Sequence, residues 1–210
     1  PLINELRTMM ADKPVFIADG HHRYGTALMY RQRELDQIGE PPADDPINFV
    51  LCAFSGMEDP GAIIQPYFRS IVGLANASPK DLESALAEHM KWTSVSRPTT
   101  ADDLSKKLAP AGPEAFILYF AKQDVAALLS PRTPELLTKF EPTKSAAWRS
   151  CAYAVFHRSL VQEVLQPRFS AGKPIEIHYH KSLKETLDNA KENSGIAVLM
   201  PATSMSQLRE

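Results

Sequence analysis

The stretch Pro14-Val15-Phe16-Ile17-Ala18-Asp19-Gly20-His21-His22-Arg23-Tyr24 runs from a short apolar segment through an Asp-Gly break directly into helical patterning. It reads as a strand, a tight turn and a helix start, the junction that organises an α/β core. The first turn of a helix carries unpaired backbone N–H groups and the positive end of the macrodipole, so an anion can settle there. Gly20 lets the backbone approach such an anion closely. Arg23 can grip a phosphate or carboxylate through two N–H groups, and His21 and His22 can donate hydrogen bonds or carry protons. The plainer alternative makes Asp19 a helix cap that accepts from the N–H of His21 or His22. That explains Asp19 and Gly20. It leaves His21, His22 and Arg23 unexplained, because consecutive helical positions point about 100° apart and no packing stripe uses all three. On spacing alone the two readings stand equal.

Working outward, Leu2, Ile3, Leu6 and Met9 or Met10 recur at helical spacing and predict an amphipathic helix before the Pro14–Ala18 strand. After the motif, Tyr24, Ala27, Leu28, Leu35 and Ile38 form a helical stripe ended by Gly39 and Pro41-Pro42. Asn48 to Phe54 is a nearly continuous apolar run, expected of a strand covered on both faces. Ser55 to Gly61 reads as a loop, followed by a short Ala62–Gln65 strand and then Pro66-Tyr67-Phe68-Arg69. Composition shifts near Asn76. Ser78-Pro79 opens a helix with Leu82, Leu86 and Met90 on its apolar side, Lys91–Ser96 alternates like a strand, and Thr100–Leu108 is helical. Glu114–Ala121 and Val125–Leu129 predict a hairpin. Ser145–Leu165 returns to a long helix, with Pro174–His180 strand-like, Leu183–Ala190 helical, Ile196–Met200 a strand and Ser204–Glu210 a final partial helix. This alternation predicts an α/β architecture, with α+β as the alternative: a mixed sheet with flanking helices. The expected division is a core at 1–75 bearing the motif, a small αβαββ subdomain at 76–140, and a return to the core at 141–210.

With 210 residues the chain can bury a substantial core. Its 44% apolar and 23% charged content is that of a globular protein, and a net charge of −2 gives no global reason to bind nucleic acid or an anionic membrane. Any anion site must be local. No apolar stretch approaches the roughly 20 residues that span a bilayer, and no signal peptide is visible. The two cysteines, Cys52 and Cys151, form no spaced metal motif and read as reduced, buried thiols of a cytoplasmic protein. The 17 prolines punctuate loops, and there is no repeat or low-complexity tract.

Further candidates are weaker. His178 and His180 stand two apart in an expected strand and so face the same way, which suits a phosphate-facing pair or, less well, two ligands of a metal. Metal ligands proper are not assigned. Glu58 and Asp59 are the loop acids nearest the motif that could hold Mg²⁺. His89 and His157 read as solvated helix residues or as partners of a helix C-terminal dipole rather than catalysts. No Ser-His-Asp order, Gly-Lys-Ser/Thr phosphate loop or Gly-x-Gly-x-x-Gly can be read, so the common nucleotide folds are unsupported.

The run Ile17-Ala18-Asp19-Gly20-His21-His22-Arg23-Tyr24, followed by Thr26-Ala27-Leu28, resembles the signature of the bacterial and archaeal domain-of-unknown-function family 1015, across nearly the whole chain in element order. Its Asp-Gly-His-His-Arg core is also similar to the phosphate-binding motif of the sulfiredoxin and ParB superfamily, which includes nucleotide-dependent free serine kinases. The first resemblance implies that the chain is a fragment at both ends. The second implies a ParB/sulfiredoxin-like core and a general base for the acceptor hydroxyl lying before Pro1. Against the first family's pattern, Tyr67 and Phe68 replace a hydroxyl and an imidazole in a Pro-Thr-His-Arg stretch, Ala152 replaces an aspartate, and Lys181 stands where an acid follows the histidine.

Together these readings lead to an expected phosphotransferase that binds ATP, ADP or pyrophosphate with Mg²⁺ and acts on a small hydroxyl substrate. In it Gly20, Arg23 and Arg69 hold phosphate, Asp19, His21 and His22 are catalytic, and His178 and His180 are auxiliary. The alternative is a module that senses a nucleotide or phosphate without turnover. A metal-dependent hydrolase using the His178–His180 pair and a DNA-binding protein rank below both. The oligomeric state is not predicted.

Overall fold

The computed structural model describes residues 2–74, 77–134 and 136–209. The chain divides into two compact units, Pro1–Gly56 and Met57–Glu210.

In the first unit, α1 (Leu2–Met10) and α2 (His21–Ile38) form where the helical stripes predict them. Gly39, at φ 79°, ends α2 and donates its N–H to the Leu35 carbonyl at 2.9 Å. The two expected strands of this unit are absent. Pro14–Ala18 and Asn48–Phe54 have no ladder partner, and a single-turn helix occupies Pro46–Asn48. Val15, Phe16 and Ile17 are exposed, and Leu51 is wholly so. An apolar run becomes a strand only when another backbone takes up its N–H and C=O groups, and no segment among the described residues does this. Cys52 lies in the second run and is therefore exposed, which corrects the expectation of a buried thiol.

The second unit is built on one six-stranded sheet of order β2-β4-β3-β6-β1-β5 in which every ladder is antiparallel. In chain order its elements are β1 (Phe68–Val72), α3 (Pro79–Leu86), β2 (Met90–Val95), α4 (Ala101–Leu108), β3 (Phe116–Phe120), β4 (Val125–Pro131) and α5 (Ala146–Arg149). There follow α6 (Ala152–Val155), a π-helical stretch Phe156–Leu165, α7 (Gln166–Phe169), β5 (Glu176–His180), α8 (Leu183–Glu192), β6 (Ile196–Leu199) and α9 (Met205–Arg209). The expected αβαββ order of 76–140 appears as α3-β2-α4-β3-β4, and its strands continue in the same sheet as β6, β1 and β5. The division expected near Asn76 falls outside the described residues, as does Glu210 of the expected last helix.

Local chemistry explains several of these elements. Ser78 and Asp81 make a reciprocal capping box at α3 with Pro79 in its first turn, Thr100 caps α4 through the Asp103 N–H, and Ser182 caps α8 through the Glu185 N–H. The sheet is covered by helices on both faces. Phe116, Leu118 and Phe120 of β3 pack on one side with Leu82 of α3 and Phe156, while Ile117 and Tyr119 pack on the other with Leu104 of α4 and Leu183 of α8. That two-sided burial is why β3 and β6 read as continuous apolar runs.

Two expectations need correction here. The Ala62–Gln65 segment forms no strand; the strand begins at Phe68, so Arg69 lies inside β1 rather than after a strand. The 145–165 helix is broken at Ser150-Cys151, where Ser150 Oγ bonds the Ala147 carbonyl at 2.9 Å, and it then runs on to Phe169 through the π-helical stretch. Ser150 Oγ and Cys151 Sγ both donate to the Ala147 carbonyl, a local side-chain bonding that competes with helix continuation.

Candidate functional sites

The first candidate is the start of α2. Gly20 occupies the cap position at φ 85°, ψ 22°, a left-handed conformation that suits glycine, and no side chain caps the helix. Asp19 is therefore not the cap that the plainer reading made it. It pairs instead with Arg23 one turn on, at 3.4 Å, with both side chains largely exposed. A Cβ placed on Gly20 would lie 3.1 Å from Arg23 Nη2, so the guanidinium folds back over the glycine. His21 and His22 are exposed. Open N–H groups, a helix of 18 residues and a nearby guanidinium fit a phosphate group. An exposed ion pair contributes little, so Arg23 can exchange Asp19 for another anion at small cost.

The other expected site residues lie in the second unit, and the sheet separates them. Arg69 faces Tyr179 across the β1–β5 ladder, whereas Ser70 faces His178. Arg69 and Tyr179 therefore project from one face of the sheet, and Phe68, Ser70, His178 and His180 from the other.

On the latter face Ser70 Oγ donates to Asn189 Oδ1 at 2.7 Å and lies 2.8 Å from His180 Nε2, which makes the imidazole the donor of that second bond. His180 Nδ1 is buried without a hydrogen bond, and Glu185 Oε1 lies 3.4 Å from it. His178 reaches Asn189 Oδ1 at 3.3 Å through Nδ1 and Glu176 Oε1 at 2.7 Å through Nε2. The order Ser70–His180–Glu185 has the outline of a nucleophile relay, but Ser70 is 0% exposed, so no substrate carbonyl reaches its oxygen. The same enclosure makes the cluster a hydrogen-bond network joining β1, β5 and α8. Among the described residues no three His, Cys, Asp or Glu side chains are grouped to hold a metal ion, so the histidine pair lacks a third ligand of those types there. Ser70 and Asn189 were not found by sequence reasoning. A lone serine in an apolar strand and an asparagine in a helix carry no spacing signal.

Glu176 raises the pKa of His178 chiefly through its hydrogen bond, with burial opposing and Asn189 assisting. A histidine whose folded value lies above its unfolded value of about 6.5 adds stability that is complete below the latter and fades as pH rises through the folded value. In a ¹H–¹⁵N imidazole titration, His178 is expected to titrate above 6.5, and Glu176→Gln should lower its midpoint. A midpoint at or below 6.5 in the unmutated chain would contradict this geometry.

On the opposite face Arg69 is only 8% exposed. Its Nη1 donates to the Tyr67 carbonyl at 2.8 Å and approaches Met200 Sδ at 3.1 Å, while Nε is buried without a partner. The guanidinium carbon lies 4.8 Å from the Tyr153 ring centre, 5.4 Å from Tyr179 and 6.0 Å from Phe156. Burial pushes its pKa down, with Tyr179 and Tyr153 opposing. Among the described residues no carboxylate pairs with it. Phe68 and Ala152, at two of the positions that depart from the family pattern, are both buried. Glu58 pairs with Arg209 at 3.0 Å, and Asp59 accepts the Gly61 N–H at 2.7 Å in a tight turn, so both loop acids have structural partners.

The fold and these clusters define an α/β protein whose second unit carries an antiparallel sheet covered on both faces, with an uncapped glycine-led helix start in its first unit. Residues 2–156 match the family model described as "Protein of unknown function (DUF1015)", and the chain belongs to that family. No curated protein and no solved structure matches it. Among the described residues no helix is long and apolar enough to cross a membrane.

Proposed function

We propose that the protein binds a nucleotide or pyrophosphate at the Gly20–Arg23 turn and transfers a phosphoryl group to a small hydroxyl substrate. The observation that carries this reading is the left-handed, side-chain-free cap at Gly20 with Arg23 folded over it. The similarity of the Asp-Gly-His-His-Arg run to the motif of ParB/sulfiredoxin-like serine kinases supports it, and with it a core of that kind. In this reading Gly20 and the neighbouring N–H groups hold phosphate oxygens, and Arg23 leaves Asp19 to neutralise charge on the group in transit. His21 or His22 contacts that group, and Asp19 orients a histidine or a hydrated Mg²⁺. ATP, ADP or pyrophosphate with Mg²⁺ would supply the phosphoryl group.

Calorimetric titration of each Mg²⁺-loaded donor into the chain and its Arg23→Ala variant tests the placement. A charge-assisted hydrogen bond contributes about 1.5–3 kcal/mol, so Arg23→Ala is expected to weaken binding by roughly tenfold to a hundredfold. Equal affinity in the two proteins would reject the site.

A second reading, ligand sensing without turnover, is favoured by Phe68. It fills a position where the family pattern has an imidazole, yet it is 3% exposed and packs in the core with Leu183 and Leu199. Tight donor binding with no product formed from any hydroxyl acceptor would select it.

A further inference from the structure

We propose that the groove between the 97–99 segment and α8 is a binding site for a phosphomonoester with a short carbon body. This goes beyond the phosphate reading of the Gly20–Arg23 turn, stands without it, and lies wholly within the Met57–Glu210 unit.

The chain as a whole is slightly acidic, with 25 Asp and Glu against 23 Lys and Arg. This groove reverses the balance: Arg97, Lys184 and Lys191 line it, against the single carboxylate of Asp188. The spacing of α8 produces one of its walls, because Leu183, Lys184, Leu187, Asp188 and Lys191 recur at three- and four-residue steps and share a helix face. Leu183 and Pro98 are buried, so the charged groups stand around an apolar floor. A cleft with an excess of one charge and low-dielectric walls focuses its field and draws counterions, which solvated lysines on an open face do far less.

The cations differ in how they are held. The Arg97 side chain is 35% exposed and lines the groove; its Nη1 donates to the Tyr119 hydroxyl at 3.3 Å, and the largely exposed Asp124, which does not line the groove, lies 3.7 Å from it. These contacts hold the guanidinium by one end. Lys184 pairs with Asp188, whereas Lys191 acts on that carboxylate only through its longer-range charge. With Asp188 neutralising one cation, two positive charges are left among the lining residues. A phosphomonoester, whose second pKa is about 6, answers them with close to two negative charges on one group at neutral pH. A dicarboxylate spreads the same charge over two ends. The groove holds about 170 Å³, below the roughly 300–1,000 Å³ of pockets for drug-sized ligands, so only a few carbons can accompany the phosphate over Leu183 and Leu187.

The probes are propyl phosphate, propanesulfonate of similar shape with one charge, and succinate, each titrated into the whole chain by heteronuclear NMR. Propyl phosphate is expected to saturate, shifting the Leu183 and Leu187 methyl signals and the Thr99 N–H, with propanesulfonate and succinate severalfold weaker. Lys191→Gln, at an exposed position, should weaken propyl phosphate about two- to fivefold, the range of an exposed ion pair, and its combination with Arg97→Gln about tenfold or more. Lys191→Arg should retain binding. Arg23→Ala should leave these shifts unchanged, which separates this site from the start of α2. Should Arg97→Gln disturb folding, the contrast between Lys191→Gln and Lys191→Arg carries the test. No saturable shift at Leu183 and Leu187, equal binding of propanesulfonate or succinate, undiminished binding in Lys191→Gln, or loss of the shifts in Arg23→Ala would overturn the proposal.

Discussion

Phe156→Ala is expected to destabilise the Met57–Glu210 unit by about 3–5 kcal/mol, the usual cost of truncating a buried phenylalanine. Phe156 is 0% exposed, meets Phe116 edge to face at 5.8 Å, and opens the π-helical stretch that packs against the sheet. Truncation removes the ring's transfer free energy and leaves a cavity between β3 and that helix, which the surrounding core closes only in part. Urea unfolding followed by the fluorescence of Trp92 and Trp148 measures the change. Phe54→Ala is the matched control, because Phe54 is 67% exposed and its loss should fall within about 0.5 kcal/mol. Equal effects of the two substitutions would contradict the burial of Phe156. The same variant removes one aromatic neighbour of Arg69, so the arginine face should loosen with the core.

Gly195→Ala is the second large effect, expected at about 1–3 kcal/mol and toward the upper end of that range. Gly195 stands between α8 and β6, donating its N–H to the Ala190 carbonyl at 2.7 Å and accepting from the Ala121 N–H at 3.2 Å. Any Cβ there would collide with the Ile71 carbonyl of β1 and lie 3.2 Å from Val72 Cγ1. The obstacle is backbone in the middle of a sheet, where no side-chain rotation relieves it. The β1–β6 ladder would have to shift, carrying Arg69 and Ser70 with it. A lowered unfolding midpoint with unchanged denaturant dependence is the expected signature; an unchanged midpoint would show that the two strands are not in this contact.

These two positions show how differently the chain's features were legible. The apolar character of Phe156 lay within a helical stripe, so its place in a core could be read. Gly195 offered no periodicity, and its role follows from a neighbour more than a hundred residues earlier in the chain. The helix start at Ser78-Pro79 and the strands β2 to β6 were readable because capping and alternation act over a few residues, whereas the caps at Thr100 and Ser182 emerged with the structure. The β1 strand was displaced from its expected place at Ala62–Gln65, since only pairing with β5 and β6 makes Phe68–Val72 a strand.

The candidate sites divide in the same way. Asp19, Gly20 and Arg23 are neighbours in sequence, and one turn of helix suffices to bring them together, so the sequence alone determined that cluster. It also determined that His178 and His180 share a face, by the two-residue period of a strand. Only the tertiary structure decided that Arg69 and the histidines lie on opposite faces of one sheet, because a strand's alternation assigns faces only relative to its paired neighbour. It alone placed Tyr153 and Tyr179 around Arg69, and Ser70 and Asn189 between the histidines, since those residues come from separate elements with no local interaction to announce them.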